Sequence, residues 1–261
     1  MFRKVMATLL ALVLVLAASL TCAQAESYTI GFAVSTLENP FFVTMKDAAV
    51  AKAAELGVEL VVLDAQDSAE TQASQVEDFI TRGVDLLIIN PVDSDAIGTS
   101  VMACNEANIP VITVTRASNA GTVVQHLDID NKEAGRLDAE QLLKDLDGKG
   151  KVAILEGIAG SSSAIEREEG FVDALKGSEV EVVTSLTANY SREEGATVTE
   201  DILQSNPELD AIYAHNDEMA LGAVRAVAAA GRSAEIKIYG IDATDDALVA
   251  VENGEMAATV Q

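Results

Sequence analysis

The chain has no tryptophan, and Phe and Tyr together supply only 4% of its 261 residues. Its core must therefore be close-packed Ala, Val, Leu and Ile. Only two cysteines occur, Cys22 and Cys104, too few for a disulfide framework or a cysteine-based zinc site. Bases are scarce: 17 Lys+Arg stand against 42 Asp+Glu, a formal net charge of −25. Such a surface repels phosphate backbones and anionic lipid, which excludes nucleic-acid or membrane binding through bulk charge. The two histidines, His126 and His215, show no metal-ligand spacing. G-x-G-x-x-G, the phosphate loop G-x-x-x-x-G-K-[ST] and the nucleophile elbow G-x-S-x-G are all missing. Gly157 and Gly160 supply only part of a dinucleotide loop. No catalytic residue, metal or cofactor is therefore expected. What the chain does have is 49% hydrophobic residues, which rules out general disorder. Its length fits one large α/β domain or two small ones.

Residues 1–25 form a separate segment. Arg3 and Lys4 precede an uncharged, mostly apolar run, and Ala23-Gln-Ala25 places small residues at both key positions of a signal-peptidase site. Cleavage after Ala25 is expected, leaving Glu26 first and a net charge of 15 − 42 = −27. The run is short for a membrane span, which needs about 18 or more apolar residues. A lipoprotein would use Cys22, but Thr21 before it is larger than the Gly, Ala or Ser such a site prefers. Cys104 falls in an apolar helical pattern and reads as a buried, inert thiol.

The remainder alternates strand and helix. Strands are expected at 28–34, 58–63, 85–90, 111–115 and 123–127, with helices at 40–56, 68–82 and 95–107. A second series has helices at 132–146, 162–175, 192–204, 217–230 and 245–252. Its strands fall at 151–155, 180–186, 211–214, 236–241 and 257–260. Near-continuous apolar strands between helices mark parallel sheets covered on both faces. The two series resemble each other, and no Pro/Gly/Ser linker separates them. The reading is two similar doubly wound lobes, 26–129 and 130–261, joined by a short hinge near Ile129–Asp130.

Ligands of open parallel sheets bind beyond the carboxyl ends of the strands. Those positions hold Ser35, Asn39, Phe41, Phe42, Asn90 and Thr115-Arg116 in the first lobe. In the second they hold Arg167, Tyr190, Asn216 and Asp242. Two such rims facing each other suit a neutral polyhydroxy ligand. Asn offers donors and an acceptor from one amide, Arg forks onto vicinal oxygens, and Asp accepts from hydroxyls. Aromatic faces cover the C–H faces of a ring. Each residue also has a plainer reading. Phe41 and Phe42 serve equally as core anchors, Asn90 and Asn216 as turn or cap residues, and Tyr190 as a half-buried strand-end aromatic. Arg167, among Glu166, Glu168 and Glu169, could be a surface ion pair. Only the constellation favours a site. Asp93 and Asp95 around Ser94 read as a helix cap with acids at the positive end of the dipole.

Several stretches resemble the periplasmic ribose-binding proteins. They are Ser35-Thr-Leu-Glu-Asn39-Pro-Phe-Phe42, Ile88-Ile-Asn90-Pro-Val-Asp-Ser-Asp-Ala96 and Ala107-Asn-Ile-Pro-Val-Ile-Thr113. Gly160-Ser-Ser-Ser-Ala-Ile-Glu-Arg167 and Asn216-Asp-Glu-Met-Ala-Leu-Gly-Ala223 complete the set. The resemblance runs from Tyr28 to the last residue. It implies a type I periplasmic binding protein fold that closes on a monosaccharide and delivers it to the permease of an ABC transporter. Location in the periplasm or cell envelope, and a monomeric state, are expected. Carried over motif by motif, the ligand residues are Asn39, Phe41, Phe42, Asn90, Arg116, Arg167, Tyr190, Asn216 and Asp242, with Ser35 in support. Tyr190 stands where such proteins often have Phe. Thr115-Arg116 replaces the family's Asp-Arg, so a charged acceptor is absent; the resemblance implies a ribose-like pentose or related sugar without fixing ribose as the specific ligand. The family pattern also continues beyond Gln261 with a further ligand Gln and a strand and helix returning to the first lobe. The expectation is therefore a fragment or truncated product. The fold is shared with the inducer-binding core of LacI-type repressors, but these need a basic helix-turn-helix head where this chain has its export signal. A sugar sensor serving a chemoreceptor or kinase is the other alternative.

Overall fold

The computed structural model describes residues 28–261. The expected export signal, its cut site and Cys22 lie outside them. In chain order the first sheet and its helices are β1 (Thr29–Val34), α1 (Pro40–Leu56), β2 (Glu59–Asp64), α2 (Ala69–Arg82), β3 (Leu86–Ile89), α3 (Ile97–Glu106), β4 (Val111–Val114) and β5 (Gln125–Leu127). The second half runs α4 (Asn131–Asp145), β6 (Lys149–Glu156), α5 (Ser162–Leu175), β7 (Glu179–Thr187) and α6 (Arg192–Ser205). It continues with β8 (Ala211–Ala214), α7 (Asp217–Ala229), β9 (Lys237–Ile241), α8 (Asp245–Glu252) and β10 (Ala258–Val260).

Every strand pairing is parallel. The strand orders are β2-β1-β3-β4-β5 and β10-β9-β8-β6-β7. Read from β7, the second order repeats the first, so the two halves share one doubly wound topology, as expected from the sequence. In each lobe the chain reverses direction across the sheet beside its first strand, which opens a crevice at the carboxyl ends.

Helices enter these crevices through side-chain caps. Asn39, Ser68, Asp130, Ser161, Ser191 and Asn216 each accept a backbone N–H from the first turn that follows. Such caps satisfy donors that the helix itself cannot. Several caps sit on the ligand-side rim, so one residue both starts a helix and faces the crevice.

Apolar strands are packed on both faces. In the first lobe, Ala33, Leu87, Ile89 and Val111 meet Val76, Phe79 and Val101, while Phe32 and Val34 meet Phe42 of α1. In the second, Phe171 of α5 stacks on Tyr213 of β8 with ring centroids 3.9 Å apart. Cys104 is free and buried, and burial pushes its thiol up to about 11. That agrees with an inert core thiol.

Two local readings change. The turn expected over Asp147–Gly150 ends earlier, because Lys149 already pairs with Glu179 at the start of β6. The ladder then shifts register between Val152 and Ala153, so one extra residue is absorbed as a bulge. Helix α3 begins at Ile97, not Asp95. The Asp93 carboxylate accepts the N–H groups of Asp95 and Ala96 at 2.9 and 2.7 Å, which holds these residues in a preceding turn.

Candidate ligand-binding cleft

The two rims meet. Ser94 N–H donates to the Gly160 carbonyl at 3.1 Å, and Ser162 N–H donates to the Ser94 hydroxyl at 3.2 Å. Ala117 N–H reaches the Ser162 hydroxyl at 2.9 Å. Gly160 is required at this crossing. Its φ is +85°, and a Cβ there would lie 2.2 Å from a carboxylate oxygen of Asp93 on the other lobe.

Between the rims lies a small cavity of about 20 Å³, tightly closed by the two lobes. Eight of the ten residues singled out from the sequence line it: Asn39, Phe41, Phe42, Arg116, Arg167, Tyr190, Asn216 and Asp242. Thr115 and Ser163 complete the wall. Both lobes contribute, which only the tertiary fold achieves.

On the first lobe, Asn39 spends its amide oxygen on Phe41 N–H at 2.9 Å. Its amide nitrogen has no protein partner among the described residues. Phe41 and Phe42 meet edge to face at 5.5 Å. Phe42 serves both readings at once, since it packs under Phe32 and Val34 and also faces the cavity. The Arg116 guanidinium lies between the two lobes. It sits 5.5 Å from the Phe42 ring centre and 5.0 Å from that of Tyr190, and it donates to the Pro91 carbonyl at 3.0 Å.

On the second lobe, Arg167 is held rather than solvated. Its Nε donates to Asn131 Oδ1 at 2.9 Å and a terminal nitrogen to the His215 carbonyl at 2.5 Å. The same nitrogen lies 3.5 Å from Asp242. The surface ion-pair reading of Arg167 fails because its glutamate neighbours along α5 leave it on the buried face of the helix. Tyr190 adopts φ +60°, and its hydroxyl bonds to Ser163 at 3.0 Å. The ring lies over Gly157, where a Cβ would come within 2.1 Å of it. Asn216 caps α7 by accepting Met219 N–H at 3.0 Å. Burial pushes the Asp242 carboxyl up to about 7, although the Arg167 charge pulls the other way.

Ser35 and Asn90 stand behind this wall and not on it. Asn90 is fully buried. Its Oδ1 accepts from the Ser35 hydroxyl at 2.6 Å and Ser35 N–H at 3.3 Å. Its Nδ2 donates to the Val114 carbonyl at 3.0 Å and to the Thr115 hydroxyl at 2.5 Å. The amide thus ties three strand ends together and is spent on the protein.

Other positioning residues carried no signal in the sequence. Gln72 donates to the Asn90 carbonyl at 2.8 Å and accepts Val92 N–H at 2.9 Å, which pins the loop after β3. Asn131 orients Arg167. Asp217 accepts from Thr244 N–H at 2.8 Å and from the Thr259 hydroxyl at 2.7 Å, holding the turn that carries Asp242. Each is a buried polar side chain, Gln72 within a helix and Asn131 and Asp217 at helix starts, where a polar residue is ordinary. Among the described residues no group of His, Cys, Asp and Glu could hold a metal ion, and no helix is long and apolar enough to cross a membrane.

Two doubly wound parallel lobes closed over a polar cleft at their carboxyl ends define a type I periplasmic binding protein. The chain belongs to the periplasmic binding protein domain family, whose model matches residues 30–261. It is 46% identical over 258 residues to the ribose import binding protein RbsB of Haemophilus influenzae, covering 99% of this chain and 87% of that protein. A Caulobacter myo-inositol binding protein solved with myo-inositol shares 36% identity at a TM-score of 0.85, over 90% of this chain and 82% of that one. An ABC transporter periplasmic solute-binding protein from Actinobacillus succinogenes, solved with D-allose, shares 32% at 0.82, over 88% and 84% respectively. These relatives are solute-binding proteins and not enzymes.

Proposed function

We propose that this chain is an extracytoplasmic solute-binding protein that takes a monosaccharide into the interlobe cleft and delivers it to the permease of an ABC transporter. The observation that carries this reading is the cavity itself. It is small, shared by both lobes, and lined by amides, two guanidiniums, one carboxylate and three aromatic rings. A monosaccharide needs most of its hydroxyls paired once water is excluded, and this wall supplies donors on all sides. Asn39, Phe41, Phe42, Arg116, Arg167, Tyr190, Asn216 and Asp242 are the contact residues in this reading, with Ser35 and Asn90 holding the first rim in shape. The lobes divide at 129/130, where Asp130 caps α4. Export through the residue 1–25 signal leaves a monomeric protein beginning at Glu26, in the periplasm or cell envelope. The relatives' roles in ribose import and in myo-inositol and allose binding support a sugar as the solute.

The test is a thermal-shift screen of monosaccharides on ligand-free protein. A ligand at 100 times its dissociation constant adds about 2.7 kcal/mol of stability, well above the resolution of the assay. A panel of pentoses, hexoses, cyclitols and their acids that leaves the melting temperature unmoved overturns the reading.

A further inference from the structure

The charges of the cleft do not balance. Arg167 is answered by Asp242 at 3.5 Å. Arg116 has no such answer: among the described residues no carboxylate oxygen lies within 4 Å of its guanidinium. It is nonetheless only 3% exposed, and it remains charged in any folded protein. One of its five N–H donors goes to the Pro91 carbonyl, and its planar face is occupied by Phe42 and Tyr190. Its remaining donors edge the cavity that Thr115, Asn39 and Asp242 also line. The wall therefore holds two fixed positive charges and one carboxylate.

Thr115 sharpens the imbalance. Its hydroxyl oxygen already accepts from Asn90 Nδ2, so its own hydrogen is left to donate toward the cleft. Its φ is +57°, a conformation that costs a β-branched residue more than it costs Asn or Asp. Strain of this kind persists where surrounding structure enforces it, typically at a binding site. Asn39 likewise offers Nδ2 once its oxygen is spent on the α1 cap. On this side of the cleft Arg116, Thr115 and Asn39 each keep a donor free.

We infer that the preferred ligand is a sugar acid, an aldonate or uronate whose carboxylate lies between Arg116 and Thr115 while its hydroxyls face Asp242 and Asn216. A carboxylate accepts a bidentate pair from a guanidinium and a third bond from a hydroxyl, which is the set this corner leaves open. Asp67 approaches Arg116 from the cleft mouth and attracts it electrostatically, but burial raises its own pKa, and it lies outside ion-pair distance. The acidic surface opposes an anion during approach. Beyond ~8–10 Å that field is screened at physiological salt, so it slows capture more than it weakens the closed complex.

The inference rests on the monosaccharide-binding reading, and one calorimetric comparison separates the two. D-Ribonate and D-glucuronate are titrated against D-ribose and D-glucose into ligand-free protein and into the Thr115→Asp and Thr115→Asn variants. Both replacements tolerate the positive φ better than Thr, and a melting curve confirms their fold. In the parent protein at least one acid should bind tenfold or more tighter than its neutral partner. Thr115→Asp should reverse that order, and Thr115→Asn should leave the acid preferred. Neutral sugars that bind as well as or better than the acids overturn the inference and leave the monosaccharide reading standing. An acid preference that Thr115→Asp leaves unchanged also overturns it, since the corner described is then not the one that reads the carboxylate. Absence of binding by all four sugars overturns the inference, while the monosaccharide reading falls only if the wider panel also fails.

Discussion

Replacing Asn90 by Ala should damage the fold before it damages ligand contact. The amide makes four hydrogen bonds, to Ser35 N–H, the Ser35 hydroxyl, the Val114 carbonyl and the Thr115 hydroxyl. An unsatisfied buried polar group costs about 1–3 kcal/mol. The two hydroxyls can turn to other partners, and one water can enter the vacated space, so about two groups stay uncompensated. The expected loss is roughly 2–5 kcal/mol. For a chain of this size about 1 kcal/mol moves the melting temperature by ~2–4 °C, so a fall of roughly 4–20 °C follows. Urea unfolding followed by circular dichroism measures it directly, and Ser35→Ala, which removes one hydrogen bond, should cost about 1 kcal/mol. The decisive result is the pairing of stability with affinity. Asn90→Ala protein that keeps the parental unfolding midpoint but loses sugar binding would show that the amide meets the ligand, and the scaffold argument would be wrong.

Four further outcomes are expected. Gly157→Ala must displace the Tyr190 ring, because its Cβ would lie 2.1 Å from that ring; secondary structure should survive while ligand-induced thermal stabilisation falls sharply. Asn216→Ala removes the α7 cap and a cleft donor, costing about 0.5–2 kcal/mol of stability and roughly 5–150-fold in affinity by calorimetry. Ser162→Ala deletes one interlobe hydrogen bond, worth about 0.5–1.5 kcal/mol, and should weaken ligand binding about 2–12-fold without changing the unfolding midpoint of the free protein in proportion. The Asp242 carboxyl rises from 3.8 to about 7 on folding, so the folded state holds its proton longer than the unfolded chain. Its contribution to stability is full below about pH 4 and is lost as pH rises through 7. Asp242→Asn should therefore flatten the decline of ligand-free stability between pH 4 and 8, and Asp138→Asn should do likewise, since that carboxyl is buried without a partner and sits well above the usual range. Parallel pH profiles for parent and variants would refute this.

What the sequence by itself determined is local and periodic. Strand and helix alternation and the cap reading of Asn216 depend on neighbours within a few residues, and they appear almost where the pattern puts them. The candidate cleft was legible for the same reason: carboxyl ends of parallel strands are positions that can be counted along a chain. Tertiary structure decided the division of labour among those positions. Asn90 and Asn216 look alike in sequence, each after an apolar strand, yet one is consumed by three strand ends and the other faces the cavity. Gln72, Asn131 and Asp217 lie in or beside helical patterns with nothing to distinguish them, because their partners are 18 to 42 residues away. The chain shows only that Thr115 leaves Arg116 without an adjacent carboxylate. Whether a guanidinium is answered depends on distances of a few ångströms between residues of different lobes. Only the folded packing sets those distances.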